Sequence, residues 1–292
     1  VPRILPLIAA QARPRLIGEP LAAFAAEVAA AVEHQPQTRL VVFPELHLFG
    51  DGDPDRQRTE ALQDAAEPLD GPRVKGLREL AADLGIWLVP GSVCERGPEG
   101  QLFNTQLVLS PDGELAGYYR KIFPWRPHEP YDPGDRFATV DLAGIGRVGL
   151  NICYDAWFPE VSRQLAWMGA EVILNVVKTT TDDRKQELVL AQANAIVNQV
   201  FMVSVNCAGP TGRGRSLIVD PEGNTLAEAG DDAPVLLAAD LDLSAVERVR
   251  THGTENVNRP WSQFHPGEPP IELPVYQGRI DPAAWTPHSP TF

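Results

Sequence analysis

Apolar and polar positions alternate along this chain between two rhythms. Short apolar runs such as Leu40-Val41-Val42-Phe43 read as buried strands, and longer stretches with apolar residues three and four apart read as helices. This pattern predicts strands over 4–10, 40–43, 86–89, 171–177, 201–206 and 235–241. It predicts helices over 19–34, 74–84, 159–168, 183–198 and 244–250, with Pro159 in the first turn of its helix. Three hairpins are expected. Residues 105–109 and 114–119 flank Ser110-Pro111-Asp112-Gly113, 137–142 and 147–152 flank a glycine turn, and 217–229 turns at Asp220-Pro221-Glu222-Gly223. The first and last of these echo each other, a hint of a weak internal two-fold. Mixed βα units and hairpins predict an α/β layered sandwich with a mixed sheet.

No linker divides residues 1–250, and one domain is expected over 1–258. From 259 to 292 the chain is rich in proline and lacks periodicity, so it reads as an extended C-terminal arm packed on its own body or on a partner. Formal net charge is −14, from 39 acidic and 25 basic residues, which argues against nucleic acid as a partner. No apolar run approaches the length of a membrane span, and the N-terminal residues carry no leader-cleavage pattern, so no membrane partner is expected. Cys94, Cys153 and Cys207 are few, odd in number and widely spaced, against a disulfide framework and in favour of a reducing, cytoplasmic location. Cys94 and Cys207 read as small core residues.

Three polar residues stand where strands end: Glu45 in Phe43-Pro44-Glu45, Lys121 in Tyr119-Arg120-Lys121, and Cys153 in Ile152-Cys153-Tyr154-Asp155. Each alone has a bland reading, as a surface carboxylate, a solvated strand end or an inert core thiol. Together they supply a nucleophile, a base and a cation. An ordinary thiol needs a base or a neighbouring cation to react. Glu45 can take the proton, and Lys121 can hold a tetrahedral oxyanion with the Tyr154 amide as second donor. The loop after Lys121 is stiffened by prolines and aromatics, which suits a pocket wall. Trp125, Tyr131 and Trp157 are candidate walls, and pocket volume is expected to depend on loops 50–60, 124–136 and 177–184. A Cys–His dyad through His47 or His128 is a competing arrangement. Gly144-Ile145-Gly146-Arg147-Val148-Gly149 spells a dinucleotide-loop motif, but a strand follows it rather than a helix, so a hairpin turn is expected. The scattered histidines form no metal cluster, and neither metal nor cofactor is expected.

These three segments resemble, in order and spacing, the Glu-Lys-Cys signature of the nitrilase superfamily of carbon–nitrogen hydrolases. The loop from Lys121 to Gly134 resembles the aliphatic amidase and formamidase branch. The resemblance implies a four-layer αββα sandwich, pairing through helices into a homodimer or larger assembly, and a second glutamate, Glu129, that positions Lys121 and the substrate. It implies hydrolysis of a small amide to a carboxylic acid and ammonia through a cysteine thioester. Relatives that take a free α-carboxylate carry arginine just after the Cys-x-Asp, where this chain has Ala156 and Trp157. Lys178 is the residue here that could substitute. Trp157-Phe158-Pro159-Glu160 also resembles N-carbamoylputrescine hydrolases, which keeps a carbamoyl amine open as substrate. Tyr154-Asp155 in place of Trp-Glu makes a nitrile a weaker reading, and a non-catalytic scaffold is the remaining alternative.

Overall fold

The computed structural model describes residues 2–51, 57–273 and 275–279. Two twisted sheets stack face to face. The first contains β1 (Ile4–Gln11), β2 (Leu40–Val42), β3 (Trp87–Val89), β4 (Ser92–Arg96), β5 (Leu102–Leu109), β6 (Leu115–Arg120) and β13 (Val235–Asp242). Its order is β13-β1-β2-β3-β5-β4, and β6 pairs along the other edge of β5. The second runs β12-β11-β10-β9-β8-β7, from β7 (Thr139–Leu142), β8 (Gly146–Ile152), β9 (Val172–Val177), β10 (Phe201–Asn206), β11 (Leu217–Val219) and β12 (Thr225–Glu228). At the centre of each sheet three strands run parallel, β1-β2-β3 and β8-β9-β10. Buried parallel strands need no polar alternation, which explains continuous apolar runs such as Val172 to Leu174.

Period-two alternation sends Leu5, Leu7 and Ala9 of β1 between the sheets, where they meet Leu150 and Ile152 of β8 and Val203 and Val205 of β10. Ile8 and Ala10 face the other way, onto α1 (Leu21–His34) and α3 (Pro72–Leu84) through Phe24, Val28 and Leu77. Helices α4 (Pro159–Trp167) and α5 (Arg184–Asn198) cover the second sheet, with Val161, Leu165 and Ala195 on Ile173 and Met202. The result is the four-layer αββα sandwich, held by three apolar cores. Burying each such Leu or Val contributes roughly 1.5–3 kcal/mol. Local signals set the helix ends: Pro72 opens α3, and Gly85, left-handed at φ 64°, closes it.

Predicted elements occur within a few residues of their expected ends. Two were not foreseen. Helix α2 (Arg58–Ala65) buries only Leu62 and so has almost no apolar stripe to read, and β4, Ser-Val-Cys-Glu-Arg, lacks alternation because it is buried on both faces. Residues 142–146 form the turn between β7 and β8, as the strand after the glycines required. After α6 (Ser244–His252), Trp261 of the proline-rich stretch lies on Arg163, Arg250 and the Trp167 ring. Residues 274 and 280–292 of the expected arm lie outside the described residues.

Candidate active site

Strand ends bring Glu45 and Cys153 to one cavity of about 290 Å³, with Lys121 held against two of its wall residues, Glu45 and Glu129. Glu45 follows β2 by three residues. The Phe43 amide continues the ladder to the Val89 carbonyl, and Leu46, left-handed at φ 51°, donates its amide to the Ser92 hydroxyl at 3.0 Å. Behind this turn Gly91 packs so tightly that a Cβ there would lie 1.7 Å from the Pro44 carbonyl oxygen. The carboxylate is therefore fixed by backbone on both sides.

Lys121 leaves β6 in register. Its amide donates to Asn104 at 2.9 Å, and its carbonyl accepts from Gly134 at 2.8 Å. Alternation along β6 turns Tyr119 and Lys121 inward and Arg120 outward, where Arg120 pairs with Glu95 and lies over Phe103. The buried Lys121 Nζ donates to both oxygens of Glu129 at 2.9 Å and to Glu45 Oε1 at 3.1 Å. Asn104 Nδ2 donates to the same Glu45 oxygen at 2.8 Å, and the Trp125 amide donates to Glu129 Oε2 at 2.7 Å. Burial opposes the Lys121 charge, but Glu45, Cys153 and Glu129 outweigh it and hold its pKa above the ordinary value. Glu129 is raised, because burial outweighs the pull of Lys121 and Glu45 adds a like charge.

Cys153 opens a short 3₁₀ turn, Cys153–Trp157, directly after β8, and its φ of 47° is left-handed. A non-glycine residue held there at a strand end is strained, and such strain gathers where function needs a side chain presented. Burial pushes the thiol well above its ordinary pKa, Glu45 adds to the shift, and Lys121 opposes it. The resting group is thus a thiol and not a thiolate. Its sulfur lies 3.9 Å from the Thr179 hydroxyl, which donates to Glu187 at 2.8 Å; Glu187 pairs with buried Arg184 at 3.0 Å.

Asp155 holds the turn in place. Its carboxylate accepts from the Ile152 amide at 3.1 Å, the Phe123 amide at 2.9 Å and the Tyr119 hydroxyl at 2.9 Å, joining the Cys153 turn to the Lys121 loop. Burial pushes its carboxyl up to about 7 against these donors and the Lys121 charge.

All four expected chemical residues and all five expected binding residues meet the cluster or the cavity. Tyr154, Trp125, Tyr131, Trp157 and Lys178 line it, although Tyr131 is mostly core and its hydroxyl lies 3.6 Å from Cys94. The three loops expected to shape it contribute walls through Asp51, Arg58 and Thr59, through Trp125 and residues 128–131, and through residues 178–181 with Asp183, while residues 52–56 lie outside the described residues. His128 lines the wall against the Trp125 ring. His47 instead packs against Phe43 with tilted rings and contacts Glu27 at 3.1 Å in the core, away from the cavity lining. Among the described residues no cluster of three or more metal-ligating side chains occurs, and no helix is long and apolar enough to cross a membrane. Sequence reasoning missed Asn104, Thr179 and Glu187 and gave Asp155 no role. Asn104-Thr105-Gln106, three polar residues inside an apolar strand, is the signal that marks the first.

Comparison with known proteins places this geometry. The carbon-nitrogen hydrolase family matches the chain over residues 9–251. A formamidase from Pseudomonas syringae pv. tomato is 35% identical over 238 residues, 78% of this chain and 68% of the relative. An (R)-stereoselective amidase from Pseudomonas sp. is 37% identical over 220 residues, 73% of this chain and 76% of the relative. Among solved structures, Saccharomyces cerevisiae Nit3, a member of branch 10 of the nitrilase superfamily, superposes with a TM-score of 0.76 at 27% identity, covering 85% of this chain and 94% of that one. An amidase mutant from Nesterenkonia sp. AN1, with the acetamide moiety of fluoroacetamide added covalently at its active-site cysteine, superposes with a TM-score of 0.68 at 27% identity, over 84% and 92% of the two chains. The αββα sandwich, the strand-end Glu, Lys and Cys, and a family match spanning most of the sequence agree: this chain belongs to the carbon–nitrogen hydrolase family of the nitrilase superfamily.

Proposed function

We propose that this protein hydrolyses the C–N bond of a small amide, giving a carboxylic acid and ammonia, with Cys153 as nucleophile. The observation that carries this reading is the buried Glu45–Lys121–Glu129 cluster sharing a cavity with a thiol on a strained turn. Because the thiol is protonated at rest, attack needs a base at the moment of bond formation. Both donors to Glu45 among the described residues land on Oε1, so its second oxygen is the one for proton transfer.

Glu45 takes the proton as sulfur attacks the carbonyl carbon. Lys121 Nζ and the Tyr154 amide, in the first turn of a helical segment where no intrahelical acceptor exists, stabilise the oxyanion. Glu45 returns the proton to the nitrogen, the C–N bond breaks and ammonia leaves. Water then attacks the thioester with Glu45 as base, the C–S bond breaks, and the thiol regains its proton. Glu129 holds Lys121 in place. A cavity of about 290 Å³ sits at the lower end of ligand pockets and suits a short acyl group. Trp167, Val189, Ile196 and Val197 form exposed apolar surface on α4 and α5, which supports pairing of two copies through these helices; a monomeric mass in solution would contradict it.

The test is ammonia release from short aliphatic amides, aromatic amides, nitriles and carbamoyl amines, with Cys153→Ala as control. Ammonia and acid from short amides, lost in the variant, are expected. Carbon dioxide accompanying ammonia would move the assignment to a carbamoyl hydrolase. Ammonia from no substrate, with Cys153 no more reactive to iodoacetamide than the other cysteines, would favour the scaffold reading.

A further inference from the structure

Beside Cys153 stand three linked side chains, Arg184, Glu187 and Thr179, that the proposed hydrolysis leaves without a role. Thr179 and Glu187 line the cavity with Cys153 and come from the second-sheet side: Thr179 follows β9, and Glu187 lies in the first turn of α5. Glu45, by contrast, follows β2 of the first sheet. Arg184 and Glu187 form a buried ion pair at 3.0 Å, and taking both charges out of water is costly. Arg184 also donates to the Gly214 carbonyl at 3.2 Å, the Arg215 carbonyl at 3.0 Å and the Ser204 hydroxyl at 3.1 Å, which fixes the carboxylate it holds.

That carboxylate decides what Thr179 can do. Both Glu187 oxygens accept from Thr179 Oγ1 at 2.8 Å. A hydroxyl has one hydrogen and two lone pairs, so Thr179 meets the cavity as an acceptor. Its backbone is held as well: the amide donates to Asn206 Oδ1 at 2.9 Å, and the carbonyl accepts from the Arg213 amide at 2.9 Å and from Asn206 Nδ2 at 3.3 Å. Oγ1 stands 3.9 Å from Cys153 Sγ. Sulfur attacks a carbonyl carbon from roughly 3–3.5 Å, so an atom bonded to that carbon comes within hydrogen-bond reach of Oγ1. The carbon bears three groups. Its oxygen needs donors, which Lys121 and the Tyr154 amide supply and Thr179 does not. The acyl carbon beside it has no polar hydrogen. The amide nitrogen is the group that matches a waiting lone pair.

We infer that Thr179 is a substrate-binding residue that accepts an N–H of the amide nitrogen, and that Glu187 is the positioning residue that keeps the Thr179 lone pair turned to the cavity. The group read here is thus a leaving nitrogen that carries hydrogen. This rests on the amidase reading above and deepens it. With one N–H on Thr179, the lone pair that appears on nitrogen as the tetrahedral intermediate forms is left to face Glu45. Glu45 passes it the proton taken from sulfur, the C–N bond breaks with its electron pair on nitrogen, and ammonia leaves. An ester offers Thr179 an oxygen without hydrogen, so one lone pair meets another.

The experiment compares butyramide with methyl butyrate, equal in acyl group and different in the hydrogen on the leaving atom. Both are assayed on the wild-type chain, Thr179→Val, Thr179→Ser and Glu187→Gln, with thermal melting of each. The ratio of kcat/KM for amide over ester is expected to fall about tenfold or more in Thr179→Val, the effect of leaving a buried N–H without its acceptor. Thr179→Ser keeps the acceptor and is expected to hold most of the ratio. Glu187→Gln turns an NH₂ toward Oγ1 and frees the hydroxyl hydrogen for the cavity, so the ratio is expected to fall there too. Amide and ester turnover falling together in Thr179→Val, or an unchanged ratio, overturns the assignment of Thr179. A wild-type ratio in folded Glu187→Gln overturns the positioning role of Glu187. In parallel, butyramide and methyl butyrate are titrated onto Cys153→Ala, with and without Thr179→Val, by ligand-observed NMR. The second substitution is expected to weaken butyramide by about tenfold and to spare the ester. That selective loss, found where the wild-type chain releases no ammonia, supports the Thr179 site and removes the amidase reading. Equal butyramide affinity in the two variants overturns the Thr179 site even where the amidase reading stands.

Discussion

Glu129→Gln tests whether the second glutamate acts by holding Lys121. Both Glu129 oxygens lie 2.9 Å from Lys121 Nζ, and Oε2 also takes the Trp125 amide at 2.7 Å. A glutamine of the same shape has one acceptor and one donor, so either flip sets an NH₂ against the ammonium. The better flip keeps oxygen on Trp125 and loses one charged hydrogen bond to Nζ. Such a bond contributes roughly 1.5–3 kcal/mol, which is roughly ten- to 150-fold in rate at about 1.36 kcal/mol per decade. Folding should change less, by under about 1.5 kcal/mol, because a neutral amide also escapes the cost of burying a carboxylate. Thiol reactivity should move the opposite way. Glu129 is one of the charges that raise the Cys153 pKa, so its removal lowers that pKa and speeds alkylation at fixed pH. The assay is steady-state ammonia release beside iodoacetamide kinetics and thermal melting. Retention of more than about a third of kcat/KM, against the tenfold minimum expected from one charged hydrogen bond, would refute the positioning role. So would a fall in turnover matched by an equal loss of stability.

Other perturbations address the remaining parts of the site. Cys153→Ala should remove turnover by more than about 10³-fold, in line with loss of a nucleophile, with little change in melting because alanine keeps the Cβ and the sulfur's hydrogen-bond contact to Thr179 is a long one at 3.9 Å. In the wild-type chain, alkylation of Cys153 should keep climbing from pH 7 past pH 9, since burial raises the thiol pKa and the thiolate fraction grows with each pH unit; a plateau near pH 7 would contradict this. Gly91→Ala should destabilise by about 3 kcal/mol or more and weaken turnover, because the residue sits at φ +85° and its Cβ would strike the Pro44 carbonyl; a chemical-denaturation midpoint close to wild type would refute the close-approach argument. Asp155→Asn should cost about 2–3 kcal/mol, as its amide must face at least one of three donors to the carboxylate, and a melting temperature equal to wild type would show that this bridge is idle.

How much of this was readable from the chain follows from the range of each interaction. Strand and helix patterns are local, so the ends of β2, β6 and β8 could be located, and with them Glu45, Lys121 and Cys153 as polar residues where apolar runs stop. Resemblance then supplied Glu129 and the layered fold. Other partners depend on how separate segments meet. Asn104 meets Glu45 because β5 lies in the same sheet as β2, with β3 between them. Tyr119 meets Asp155 because the sheets stack, and that contact ties the cysteine turn to the lysine loop. Whether Lys178 is a solvated strand end or a buried cation is likewise invisible along the chain, since what decides it is which side chains fail to reach its nitrogen. The sequence by itself therefore determined the elements, the chemical types and the class of reaction they suit. Only the tertiary structure decided the cluster's hydrogen bonds, the direction of its pKa shifts and the burial of Lys178 Nζ without a hydrogen-bond partner among the described residues, because burial and pairing at a few ångströms exist only once distant segments have packed.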